Sequence, residues 1–389
     1  MTFLRRGSLR GRALVATAVT LGFLGGAAAP AHALPSWTVV DTPSSTGSAS
    51  LLDVSCASAT HCFAVGAHDV DDVQKLLIEH WNGTHWSVAS GVLPSGGFGS
   101  QLKSVHCVNS TTCFAVGQYD TFLTTNTLIE RWDGHGWSIL PSPNPPDTAV
   151  SGLSDVQCTS PTRCFAVGSY FVATDTLTVE KTLVEHWDGS KWKILSSPNK
   201  SSITDSSLSG VWCTNTSFCF AVGQYRTDVA VLTLIEQWNG KQWAIVSSPN
   251  PTDIGDSELA GISCMSSVNC FAVGFAGRTL VEHWNGSKWS ITTTPNPAGA
   301  NVASLSSISC PAPTRCYAAG NWFRSLAQSR LVETWNGTAW RILATPAPTG
   351  AVATTLNGIS CPVISNCLVV GDYAVDNGPT RRPLVEHYA

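Results

Sequence analysis

Fourteen cysteines in a chain of 389 residues fall into seven pairs, with five residues between the members of each pair. Cys56 pairs with Cys62, Cys107 with Cys113, Cys158 with Cys164 and Cys213 with Cys219. Cys264 then pairs with Cys270, Cys310 with Cys316 and Cys361 with Cys367. Successive first cysteines lie 51, 51, 55, 51, 46 and 51 residues apart. A repeat of that length is one supersecondary unit that cannot bury its own faces and must stack on its neighbours.

Each unit reads as four short strands. The first ends at the first cysteine, as in "LSDVQC". The second is "CFAVG", alternating Phe and Val with Ala and Gly. The third resembles "TLIEHW", and the fourth opens on a second tryptophan, as in "KWSIT". Asn-Gly or Asp-Gly joins the last two, as in Asn82-Gly83 and Asp133-Gly134. Such dipeptides reach positive φ cheaply and signal a hairpin. Proline-rich "PSPNP" ends the unit. The pattern predicts an all-β, seven-bladed β-propeller of four-stranded antiparallel blades. A single-file solenoid fits less well, because its coils are shorter and need no paired cysteines.

The two ends of the chain support a ring. The last unit stops at "LVEHYA", before its fourth strand, while Trp37-Thr38-Val39-Val40 matches the fourth strand of every other unit. The termini are therefore expected to complete one blade together, which removes two strand edges that invite aggregation.

Residues 1–33 read as a signal peptide. They have a basic start (Arg5, Arg6, Arg10, Arg12), the apolar run "ALVATAVTLGFLGG", and "AHA" before a cleavage site near Ala33. Residues 34–389 are expected to form one propeller domain, and the mature protein is expected to be secreted. "RRGSLR" faintly matches a twin-arginine signal, but seven disulfides suit export of an unfolded chain. No later apolar run is long enough for a spanning helix. The whole chain has 22 Lys and Arg against 26 Asp and Glu. The leader removes four arginines and no acid, leaving a net charge of about −8, which argues against nucleic acid as partner. In an exported chain each cysteine pair reads as a disulfide closing the turn between strands one and two. Zinc wants four ligands and each blade offers two thiols, so no metal and no cofactor is expected.

"CFAVG…LIEHWNG…W" resembles the kelch-type blade of galactose-oxidase-like proteins. The matching positions in blade two are Gly117, Glu130, Trp132, Asp133 and Trp137. The same cadence resembles uncharacterised secreted bacterial repeat proteins. The chain departs from kelch in having one glycine where a pair is usual, a shorter third turn and a disulfide in each blade. The resemblance implies architecture and no single activity. The copper chemistry of some kelch oxidases needs a Tyr–Cys crosslink, and here every cysteine has a hairpin partner.

A glutamate recurs in the third strand of all seven units, from Glu79 to Glu386. A feature present in every blade serves what every blade shares, so these acids are expected to accept hydrogen bonds between blades. The acidic stretch His68–Asp72 lacks the full spacing of a calcium loop. Spacings locate the variable face. From the repeated Glu to the second Trp is always seven residues, whereas from the strand-two Gly to the Glu it is 13, 13, 17, 13, 8, 13 and 15. The loops between strands two and three therefore vary, and they share a face with the proline-rich links. Variable loops on a rigid scaffold carry specificity.

Near the mouth of that face stand Tyr119, Tyr170, Tyr225, Trp322 and Tyr373, with Ala276 and a short loop containing Arg278 leaving a notch in blade five. These residues are the expected ligand-binding set; they could equally cap the packing between blades. No catalytic or metal-ligating set emerges. The function expected is a non-enzymatic, monomeric propeller binding a glycan, cell-wall polymer or exported protein. A polysaccharide lyase or hydrolase with acids on the variable loops is the alternative.

Overall fold

A computed structural model describes residues 36–43, 47–173, 177–251, 255–325 and 327–389. The leader expected over 1–33 lies outside them. The described residues form seven four-stranded antiparallel sheets. Blade one is Ala49–Ser58, His61–Val70, Val73–Trp81 and Trp86–Ala89. Blade seven takes Ala353–Val363, Asn366–Ala374 and Arg382–Tyr388 from the C-terminus and Trp37–Val40 from the N-terminus. The register of that closing pair runs from Trp37 opposite Tyr388 to Val40 opposite Val385. The first strand of every blade touches the first strands of both neighbours, including blade seven against blade one, so the ring is closed.

The core is divided by seams between blades. Phe63, Val65 and Ile78 of blade one pack on Leu102, Val105, Ala115 and Trp137 of blade two. The opposite face of blade one, with Leu51, Val54, Ala64 and Trp81, packs on Leu368, Val370 and Val385 of blade seven. Alternation in "CFAVG" thus sends large side chains to one seam and small ones to the other. Its glycine is fixed by close approach, since a Cβ on Gly66 would lie 2.0 Å from the Ser50 carbonyl oxygen. In the Asn-Gly turns, Gly83 has φ 98°, which a side chain would strain.

The seven disulfides join the pairs expected from the spacing. Cys56 is bonded to Cys62, Cys107 to Cys113, Cys158 to Cys164 and Cys213 to Cys219. Cys264 is bonded to Cys270, Cys310 to Cys316 and Cys361 to Cys367. The bonded Cα atoms lie 3.9–4.1 Å apart, and the described residues contain no free cysteine. In each pair the second cysteine is the more deeply placed: Cys62, Cys113, Cys164, Cys219, Cys270, Cys316 and Cys367 are all 0–1 % exposed. They open the second strand, which is covered by a neighbour on both sides within its sheet. Each bond closes a small loop, so replacing Cys107 and Cys113 by Ala should cost about 2 kcal/mol in urea unfolding. A loss above about 5 kcal/mol would mean that the bond holds more than its own hairpin.

The repeated glutamates are 0–1 % exposed and lie in the seams. Glu185 accepts the Ser142 hydroxyl at 3.0 Å, Glu236 accepts Ser197 at 2.9 Å, and Glu282 accepts Ser248 at 3.0 Å. Each donor comes from the link that leaves the preceding blade. Thr294 donates in the same way to Glu333, the Val92 amide donates to Glu130 at 3.1 Å, and Arg330 lies 3.4 Å from Glu386. Neither Glu79 oxygen has a hydrogen-bond donor among the described residues. Thr42, which occupies the position of Ser142 after the closing strand, donates instead to Pro383 at 3.5 Å. No helix among the described residues is long and apolar enough to cross a membrane.

Candidate functional site

The strand registers place all the disulfide turns and Trp-Trp turns at one end of the ring. Cys62 is opposite both Cys56 and Trp81, and Trp81 is opposite Trp86. The loops between strands two and three, with the inter-blade links, occupy the other end. That face carries two ordered tips. In blade two the Thr121 amide donates to the Thr124 carbonyl at 2.8 Å, and the Thr121 hydroxyl caps the same turn. Blade four repeats this with Thr227 and Ala230. The turns leave Phe122 95 %, Leu123 88 % and Val229 93 % exposed. The Phe122 ring meets that of Phe98, in the adjoining link, at a tilt of 49° with centroids 5.5 Å apart. Phe171 of blade three and Ile203 of the link that follows it are also exposed. Both turns thus hold apolar side chains outward on a braced backbone.

The aromatic residues near the mouth take seam positions. Tyr119, Tyr170, Tyr225, Trp322 and Tyr373 are half-buried, each against the apolar cluster joining its blade to the one before it. Ala276 fills the corresponding seam of blade five and is buried. Tyr119 and Tyr225 belong to the two hairpins that end in the exposed tips. Lys200 lies over the Tyr225 ring at 5.2 Å. Trp322 lines a separate cavity of about 480 Å³ with Pro297, Arg330 and Thr345. Arg278 is exposed on its short loop. In the acidic stretch of blade one, Asp71 and Asp72 have φ of 50° and 62° between the paired residues Val70 and Val73. Both are turn residues of a tight hairpin, a backbone role that aspartate tolerates.

The central channel holds a second set that the sequence pattern conceals. Every first strand has a β-bulge three to five residues before its cysteine, as between Leu51 and Asp53 or Leu102 and Ser104. A bulge re-aims side chains. Around a cavity of about 280 Å³ it brings together Asp53, Lys103, Ser104, His106, Asp155 and Trp212. The equivalents of Asp53 in blades four, five and seven are Gly210, Gly261 and Gly358, so the charged wall belongs to blades one to three. Ser104 Oγ lies 2.9 Å from Asp53 Oδ2 and 2.6 Å from Asp155 Oδ1. Both acids also accept amides of the next blades: Val105 on Asp53 at 3.0 Å, and Val211 on Asp155 at 2.7 Å.

Two residues further on, Ser55, Gln157 and Ser360 accept the amides of Cys107, Cys213 and Cys56, the last across the closing seam. Burial pushes Asp53 up to about 6 and Asp155 up to about 7, the latter also repelled by Asp53. Burial drives His106 down to about 4. The oxygens of the acid pair are engaged with seam donors, so its visible work is to join blades. Among the described residues no three His, Cys, Asp or Glu side chains group as metal ligands.

No protein-family model matches the chain, and no curated protein matches it. Solved structures do match in fold. YCF48 bound to a D1 peptide aligns with TM-score 0.57 at 12 % identity, over 92 % of this chain and 99 % of that one. YCF48 from Cyanidioschyzon merolae aligns with TM-score 0.54 at 11 % identity, over 91 % and 98 %. A PL25 ulvan lyase, bound to a GlcA- and sulfated-rhamnose-containing saccharide, aligns with TM-score 0.52 at 10 % identity, over 88 % and 95 %. At these identities the likeness is one of fold: the chain shares the seven-bladed β-propeller with proteins that bind a peptide and with one that cleaves a polysaccharide.

Proposed function

We propose that this protein is a secreted, non-enzymatic binding propeller that takes another exported protein or peptide on its variable-loop face. The observation that carries this reading is the pair of braced tips displaying Phe122, Leu123 and Val229. Exposed apolar side chains favour a partner with apolar residues of its own over a hydroxyl-rich glycan, and prior ordering of the turns lowers the entropy cost of binding. Tyr119 and Tyr225, at the base of the tips, supply the aromatic rim. The seven disulfides fit an oxidising, extracellular setting.

Immobilised protein should retain a partner from the producing cell's surface and culture fluid. The double variant Phe122→Ser, Leu123→Ser should weaken that retention at least tenfold, or about 1.4 kcal/mol, with an unchanged melting midpoint. Ligand capture that survives the tip variant but is lost on changing Lys241 and Lys288, at the Trp-Trp turns, would place the working surface on the other face. Binding confined to a glycan array, and indifferent to the tips, would reject a protein partner.

A further inference from the structure

We propose that Asp155 and Asp53 hold one acid proton between them through Ser104, so that the seams joining blades one, two and three are clasped by a proton that leaves as pH rises. The reason is a count of protons. The Ser104 hydroxyl has one hydrogen and can donate it to one acid only, yet its oxygen stands 2.9 Å from Asp53 and 2.6 Å from Asp155. Two ionised carboxylates would leave one of these contacts with no hydrogen in it. A second proton, on one carboxyl, makes both contacts hydrogen bonds. The 2.6 Å separation to Asp155 is the shorter and holds an O–H···O hydrogen bond whichever oxygen carries the hydrogen, and the same Asp155 oxygen accepts the Val156 amide at 2.8 Å. Backbone amides donate to both acids, Val105 to Asp53 at 3.0 Å and Val156 and Val211 to Asp155 at 2.8 and 2.7 Å, so the pair is held in place on both sides of Ser104. The burial that raises both acids, and Asp155 further than Asp53, acts in the same direction.

The surroundings do not supply a substitute charge. On the first strand of blade two, Lys103 is attracted by Glu180 and forms no ion pair with either aspartate among the described residues. His106 on the same strand is kept neutral by burial, with a hydrogen bond to the Cys158 backbone. Blade four presents Gly210 and Trp212, and blade seven presents Asn357 and Gly358. Loss of the proton would leave two carboxylates around one hydroxyl hydrogen in the channel wall, and their repulsion would load the seams on both sides of blade two.

The test is NMR of protein labelled with ¹³C at the aspartate carboxyl carbon, titrated from about pH 3 to about pH 9. One carboxyl should titrate near neutrality and be missing from Asp155→Asn. In Asp53→Asn, Ser104 can donate to Asp155 and the neighbouring charge is gone, so the Asp155 midpoint should fall by about one pH unit or more. That variant keeps the test decisive if Asp155→Asn does not fold. Titration of every aspartate below about pH 5, or an Asp155 midpoint unmoved by Asp53→Asn, would overturn the proposal.

Discussion

Removal of Trp37–Val40 should lower the stability of the ring by at least about 4 kcal/mol and cause the protein to self-associate. The strand is only four residues long, but it carries a disproportionate share of the closing seam. Trp37 is 9 % exposed, sits 5.3 Å from Tyr388 and meets the Tyr317 ring edge-on at 6.4 Å. Loss of a buried tryptophan alone typically costs about 3–5 kcal/mol. The deletion also strips the backbone partners of the third strand of blade seven, leaving a bare edge with Leu384 and Val385 behind it. Urea unfolding and size-exclusion chromatography would read both effects. Trp137→Ala, in the uncut blade two, is the control: it should destabilise the fold by a similar packing term without exposing an edge or creating oligomers. An unaltered unfolding midpoint and a clean monomer after removal of the strand would show that the ring does not depend on its latch.

The latch was legible because repetition makes an omission visible. "LVEHYA" lacks what six other units have, and Trp37–Val40 supplies it. The disulfides were legible for the same reason, since a fixed five-residue spacing at a hairpin leaves each cysteine one near partner. The two faces followed from which spacings vary. Less was readable where chemistry depends on exceptions to the repeat. The bulge shifts register by one residue in every first strand, so strict alternation does not show that Asp53, Ser104 and Asp155 meet across two seams.

The partner of the repeated Glu was present in the sequence as a Ser or Thr five residues after the second tryptophan: Ser142, Ser197, Ser248 and Thr294. It became meaningful only once the link was seen to cross to the next blade. The mouth aromatics recur at strand ends, a pattern that fits a ligand rim and seam packing alike, and the structure places them half-buried in the seams. The tips at Phe122 and Val229 lay within loops already marked as variable, but sequence alone does not distinguish a turn that points an apolar residue outward from one that tucks it in.

The glutamate ring makes the stability of the whole molecule depend on pH, in the direction opposite to ordinary acid denaturation. Burial raises Glu79, Glu185, Glu236 and Glu282 to about 8, and Glu130, Glu333 and Glu386 to about 7, from a reference near 4.5. A group whose folded-state pKa lies above its unfolded value binds its proton more tightly in the folded state. Its contribution is complete below the unfolded value and is lost as pH rises through the folded one. The melting midpoint should therefore fall from about pH 5 upward, most steeply near pH 6, where the folded acids keep their protons and the unfolded ones have lost theirs, and level off above about pH 8.

Serine and threonine donors moderate this at four seams by hydrogen-bonding the ionised form, but neither Glu79 oxygen has a donor among the described residues. Glu79→Gln keeps the shape and removes the charge. It should leave stability at pH 5 within about 1 kcal/mol of the parent and raise it at pH 9 by roughly 2–4 kcal/mol. Glu236→Gln, which gives up an acceptor for Ser197, should gain less. Differential scanning calorimetry across the pH range distinguishes the cases. A flat profile, or a Glu79→Gln protein that is weaker than the parent at alkaline pH, would mean that the ring glutamates are ionised in the folded state and that the seams stabilise their charge.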